Sequence, residues 1–128
     1  MNANAERWLA FAQEDLKVAE VLFGQDFYNQ TCFHAQQCVE KLLKALICEQ
    51  NRVPPRTHAL TDLLNLLPQA WFSDFQGEIE NLDDYYIPTR YPDALPGVLP
   101  DGLPGKEQSA EALETARKVY ISISHRLK

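Results

Sequence analysis

Apolar residues recur at steps of three and four along most of the chain, and the step-of-two alternation of a half-buried strand is missing. The stretch from Asp26 to Gln50 is free of proline and glycine. Within it Tyr28, Cys32, Ala35, Val39, Leu42 and Leu46 draw one stripe, which Leu43 and Ile47 widen beyond the seam of a two-stranded coiled coil. A stripe of that width predicts a central helix with neighbours on two sides. The remaining face carries His34, Gln36, Gln37, Glu40, Lys41 and Lys44.

Upstream, Trp8, Ala12, Leu16, Ala19 and Phe23 predict a first helix, capped by Asn4 and closed at Gly24, where a left-handed residue suits glycine. Asp26 is then the expected cap of the central helix, and so short a link makes the two helices antiparallel neighbours. Pro54-Pro55 must break the chain. Thr57 is the expected cap of a third helix bearing Leu60, Leu63, Leu64 and Leu67 and closed at Pro68. Phe72, Phe75, Ile79 and Leu82 predict a short helix between Trp71 and Tyr86. The proline- and glycine-rich run from Ile87 to Gly105 predicts an ordered loop with a mobile tip near Gly97 to Gly105. Leu113, Ala116, Tyr120, Ile123 and Leu127 then mark the last helix. The expected fold is all-α: one domain over residues 1–128, an up-and-down bundle of four main helices plus one short helix.

The 128 residues suffice for one core without staples, and the net charge of −6 argues against a surface that neutralises phosphates, so double-stranded DNA is not an expected partner. The charge is uneven. Asp62, Asp74, Glu78, Glu80, Asp83 and Asp84 accumulate where no Lys or Arg stands, whereas the end of the chain carries Arg117, Lys118, Arg126 and Lys128. Cys32, Cys38 and Cys48 all fall on the central helix without metal-ligand spacing, and read as reduced packing residues of a cytoplasmic protein. No basic start with an apolar run marks a signal peptide, and no stretch approaches membrane-spanning length. No metal and no cofactor is expected.

Three constellations could carry chemistry. Gln37, Lys41 and Lys44 neighbour one another on the central helix, either as a solvated face with a Glu40–Lys44 ion pair or as donors for an anionic ligand such as a nucleotide. His58 falls at the predicted start of the third helix, where it either satisfies the helix end or faces an anion; His34 reads as structural and His125 as a partner of the last helix dipole. Arg90, in the run TRYPD, is placed either to grip phosphate or carboxylate beside the stacking rings of Tyr86 and Tyr91, or to pair with Asp83, Asp84 or Asp93. Phosphate-binding glycine loops, zinc-protease motifs and nucleophile elbows are missing. The residues alone lead to a helical bundle with an anion or nucleotide cleft, and not to a reaction.

The runs FHAQQCVEKLLKALI, PRTHALTDLL and YYIPTRYPDA, after an opening WLAFAQEDLKVAEVLF, together resemble the HEPN domain family, named for nucleotide binding in higher eukaryotes and prokaryotes. The resemblance spans nearly the whole chain. It implies a helical bundle that forms a homodimer, and a partnership with a minimal nucleotidyltransferase in a toxin–antitoxin-type system. Gln37, Lys41, Lys44, His58, Tyr86, Arg90 and Tyr91 would then line the site for a nucleotide or RNA ligand. Other members are metal-independent endoribonucleases, in which an Arg followed after four to six residues by a His forms a site across the dimer. Here Arg117 and His125 have seven residues between them on the last helix, about 80° apart in phase. The spacing is met by Arg52 and His58, but these flank Pro54-Pro55. A ligand-binding subunit without catalysis of its own is therefore the leading expectation. The alternatives are an endoribonuclease using His58, His125 and Arg117, and a purely protein-binding module.

Overall fold

The computed structural model describes residues 1–86 and 102–127. It contains α1 (Ala3–Gly24), α2 (Tyr28–Glu49), α3 (Leu60–Leu64), α4 (Gln76–Leu82) and α5 (Lys106–Leu127), with 3-10 turns at Gln69–Trp71 and Asp83–Tyr85. No strand occurs among the described residues, as the periodicity predicts.

Helix α2 is the axis of the bundle. Fifteen of its 22 residues are buried, so it is covered around most of its circumference. Helix α1 packs antiparallel to it: the Asn2 backbone N–H donates to Glu49 Oε1 (2.9 Å) and its side-chain amide to the Cys48 carbonyl (2.7 Å), tying the start of one helix to the end of the other. The same Asn2 caps α1 by accepting from the Ala5 N–H (2.9 Å), so the cap lies two residues before the expected Asn4. Helix α5 covers another side of α2 and runs antiparallel to the segment from Trp71 to Leu82, since Arg126 lies over Trp71 and Lys118 reaches Glu78. The core joins Ala12, Leu16 and Ala19 of α1 to Val39, Leu42, Leu43, Leu46 and Ile47 of α2, with Leu60, Leu63, Phe72, Ile79, Ala116, Val119 and Ile123 closing it.

Several boundaries differ from the sequence reading. Gly24 stays helical, and Asp26 takes the left-handed position (φ 66°), with the Phe27 N–H donating to the Leu22 carbonyl (2.9 Å). Asp26 therefore ends α1, and its carboxylate accepts from the Tyr28 hydroxyl (2.8 Å) instead of capping α2. Asn51 (φ 58°) ends α2 in the same way. Helix α3 starts at Leu60 and Thr57 is not its cap, because its free N–H groups are met from a distance: Asp83 accepts from the Leu60 N–H (2.6 Å), the Thr61 N–H (3.2 Å) and the Thr61 hydroxyl (2.9 Å). The segment expected as one helix from Trp71 to Tyr86 is divided into a 3-10 turn, α4 and a second 3-10 turn. Helix α5 opens on half of a capping box, with Gln108 accepting from the Gly105 N–H (2.7 Å). Of the loop expected from Ile87 to Gly105, only Gly102 to Gly105 falls within the described residues. Pro104 is buried there, and Gly102 (φ 87°) supplies a left-handed turn.

No helix among the described residues is long and apolar enough to cross a membrane. The three cysteines are free and buried. Burial pushes the Cys32 thiol up to about 12 and raises those of Cys38 and Cys48 as well. Native protein at pH 8 should therefore give almost no reaction with Ellman's reagent, and the denatured chain should release all three equivalents. Because the folded values lie above the ordinary 9.0, the thiols' contribution to stability is complete below that pH and is lost as pH rises toward 12. Urea midpoints measured across that window should fall, and a Cys32→Ala, Cys38→Ala variant should flatten the fall.

Candidate functional site

An almost fully buried helix must bury some of its polar residues, and each must then find a partner. On α2, Gln36, Glu40 and Lys44 are buried, and only His34, Gln37 and Lys41 form a half-buried edge beside them. The solvated-face reading of this side of α2 is thereby overturned. Helix α1 covers it on one flank, and the chain around His58 covers the other.

The two flanks repeat one arrangement. On the first, the buried Asp15 of α1 accepts from Lys41 Nζ and meets His34 Nδ1 at 3.0 Å. On the second, Glu40, with only 4% of its side chain exposed, accepts from Lys44 Nζ (3.0 Å) and meets His58 Nδ1 at 3.2 Å. Each buried carboxylate thus holds one lysine and one histidine. Gln37 bridges within the second group, donating to Gln36 Oε1 (2.7 Å) and Glu40 Oε1 (3.3 Å), while Gln36 donates to the His58 carbonyl (2.9 Å). His58 is gripped by ring and backbone together, although 55% of its side chain faces solvent. Its ring also stacks on Tyr86 (4.4 Å between centroids, planes 13° apart), and Tyr86 stacks on Phe33 at 5.8 Å.

This geometry fixes the histidine chemistry. An ionised carboxylate can only accept, so the hydrogen-bond pattern assigns the proton to Nδ1 in each neutral imidazole and leaves Nε2 with a lone pair. A ring anchored in this way can accept a proton from a ligand or, once charged, hold an anion. The charges of Asp15, Glu40, Lys41 and Lys44 cancel, so a ligand here would meet pre-oriented donors and two anchored imidazole rings and not a net positive field. No group of three or more His, Cys, Asp or Glu residues among those described is arranged to hold a metal. No buried side-chain nitrogen or oxygen among them lacks a partner.

Of the residues expected to bind a ligand, Gln37, Lys41, Lys44, His58 and Tyr86 lie on or beside this edge. His58 sits before α3, not in its first turn. The Tyr86 ring already meets His58 and Phe33 within the chain. Arg90 and Tyr91 lie outside the described residues. The alternative pair is not assembled within this chain: Arg117 is held by Glu20 (3.0 Å) and Glu114 (3.8 Å), and His125 follows eight positions later, about 12 Å along α5. The sequence reading missed Asp15 and left His34 as structural. Asp15 had a signal: it lies on the stripe of Trp8, Ala12 and Ala19 at steps of four, three and four, a carboxylate where an apolar residue belongs.

The HEPN domain family matches residues 5–125. A curated protein of Methanocaldococcus jannaschii, provisionally named a toxin, is 32% identical over 97% of this chain and 88% of its own length. A crystal structure from Thermus thermophilus superposes with a TM-score of 0.83 at 35% identity, covering 98% of both chains. A second crystal structure, of an archaeal HEPN homologue, gives 0.77 at 27% identity over 99% of this chain and all of the other.

Removing one member of a buried ion pair strands the other. Glu40→Ala should therefore destabilise the fold by about 3–5 kcal/mol in urea unfolding. Adding Lys44→Met to that variant should recover part of the loss. An additive double mutant would show that the pair is not coupled.

Proposed function

Because the chain belongs to the HEPN domain family, we propose that it is the HEPN subunit of a toxin–antitoxin-type two-component system. In this reading it is cytoplasmic and dimeric, binds a nucleotide-like or RNA ligand along the α2 edge, has no catalysis of its own, and pairs with a minimal nucleotidyltransferase. The observation that carries the ligand-binding part is the doubled arrangement of Asp15 with His34 and Lys41, and Glu40 with His58 and Lys44. A surface meant only to be wet has no need of buried carboxylates to orient its cations. The toxin name of the archaeal relative supports the two-component setting. The separation of Arg117 from His125, and the engagement of Arg117 by Glu20, support the absence of catalysis at that pair.

One observation favours a second reading, a metal-independent endoribonuclease. Nδ1 of both His34 and His58 faces a carboxylate, the orientation a general base needs to present Nε2. Incubation with single-stranded RNA in EDTA separates the two. Cleavage lost in His58→Ala would replace the first reading with the second.

Isothermal titration with ATP and with a short RNA tests the leading reading. Saturable binding is expected, weakened about tenfold by His58→Ala and by Lys41→Ala, with Arg90→Ala in the same series. Binding that none of the three alters would remove the α2 edge as the site. Size-exclusion with light scattering, alone and after co-expression with a neighbouring nucleotidyltransferase, tests the assembly: a monomer that forms no complex would overturn it.

A further inference from the structure

Where α1 begins and α2 ends, a cleft of about 400 Å³ opens beside the Pro54-Pro55 break. Its walls are Trp8, Val53, Pro54 and Pro55, and Arg52 and Arg56 stand at its surface. It shares Asn4, Cys48, Arg52 and Val53 with a second cleft of about 350 Å³, so the two form one groove. No aspartate or glutamate is among the described residues that line either part, in a chain whose net charge is −6. Lys44 reaches the groove from below. Its charge is already met by Glu40, and its ammonium lies 5.3 Å from the Trp8 ring, so among the described residues the charge that no carboxylate meets is that of the two guanidinium groups.

We propose that this groove docks a segment of a partner protein in which an apolar side chain is flanked by carboxylates. The charge of the rim asks for an anion, but a small phosphate would leave the rest of the surface as it is. Val53 is 92% exposed, the most exposed large apolar residue described, and it stands beside two prolyl rings and an indole. Covering that apolar surface rewards a macromolecular ligand and gives nothing to an ion. Trp and Arg together are the residue types that carry most binding energy at protein interfaces. Arg52 is also pre-oriented, since its Nη1 donates to the Leu66 carbonyl (2.7 Å) and to Gln50 Oε1 (3.0 Å). The groove meets the Glu40–His58 group only through Lys44, whose charge Glu40 already takes up, and the proposal does not rest on the nucleotide reading.

Selection of a phage-displayed library of random short peptides on the full chain, followed by titration of the selected peptides, tests the proposal. Trp8 emission in a Trp71→Phe background reports occupancy. The expected result is a consensus of an apolar residue between acidic ones, a saturable change in Trp8 emission, and about tenfold weaker binding to Arg52→Glu, Arg56→Glu. Lys17→Glu, a like charge change on the exposed face of α1, should bind as the parent does. Arg56→Glu alone is carried as a second variant, because Arg52 also bonds to the Leu66 carbonyl. Circular dichroism checks that both variants fold. A consensus without acidic residues, no enrichment, or affinity unchanged in both variants overturns the proposal. So does a Trp8 response to ATP or pyrophosphate that the same variants abolish, which would make the groove a small-anion site. Loss of self-association in these variants overturns it too, by making the occupant a second copy of this chain.

Discussion

Glu40 is a carboxylate at the centre of a bundle, and much of the site follows from the need to compensate it. It stands on the helix that every other long element covers, four residues before Lys44 and against His58. A charge in that position is tolerable only if donors surround it. Lys44, His58 and Gln37 are those donors, and Gln36 completes the grip by holding the His58 carbonyl. Packing at the core and chemistry at the surface are here one set of bonds. The helix cannot keep its interior position without bringing the histidine to its flank.

Asp15 solves the same problem at the contact between α1 and α2, with Lys41 and His34 as its donors. The two solutions leave His34, Gln37 and Lys41 along one half-open line, with His58 and Tyr86 beside it. Rigidity distinguishes this line from an ordinary polar surface. Lysines and histidines on an open helix lose rotamer freedom when they bind a ligand, whereas these have already lost it on folding. This line is therefore built into the stability of the domain, and substitutions in it act on folding.

The sequence displays those parts of the fold that depend on periodicity. The three long helices follow from stripes of four and three, and the antiparallel α1–α2 pair follows from a short link. The burial of Glu40 was also legible, since Gln36, Glu40, Leu43 and Ile47 step by four, three and four, which extends the apolar face through two polar residues. Asp15 on the stripe of α1 carries the same message. What periodicity cannot carry is a partner distant in the chain. Nothing near Leu60 announces that its N–H groups are met by Asp83, so Thr57 looked like the cap. Nothing near Tyr86 announces the imidazole beneath it. The cleft beside Pro54-Pro55 was equally hidden, because Trp8 and Arg56 meet only when the ends of α1 and α2 do.

The Asp83 and Tyr86 contacts have a mechanical side. Asp83 holds the first turn of α3, and three residues later Tyr86 lies flat on His58, which precedes that same turn. The exit of the fourth helix and the approach to the third are thus hinged together, with the imidazole between them like a pin. His58 cannot rotate away from Glu40 without parting from the Tyr86 ring, and Tyr86 cannot be drawn outward without uncovering His58. The Tyr86 ring thus ties the end of the second 3-10 turn to the histidine at the α2 edge.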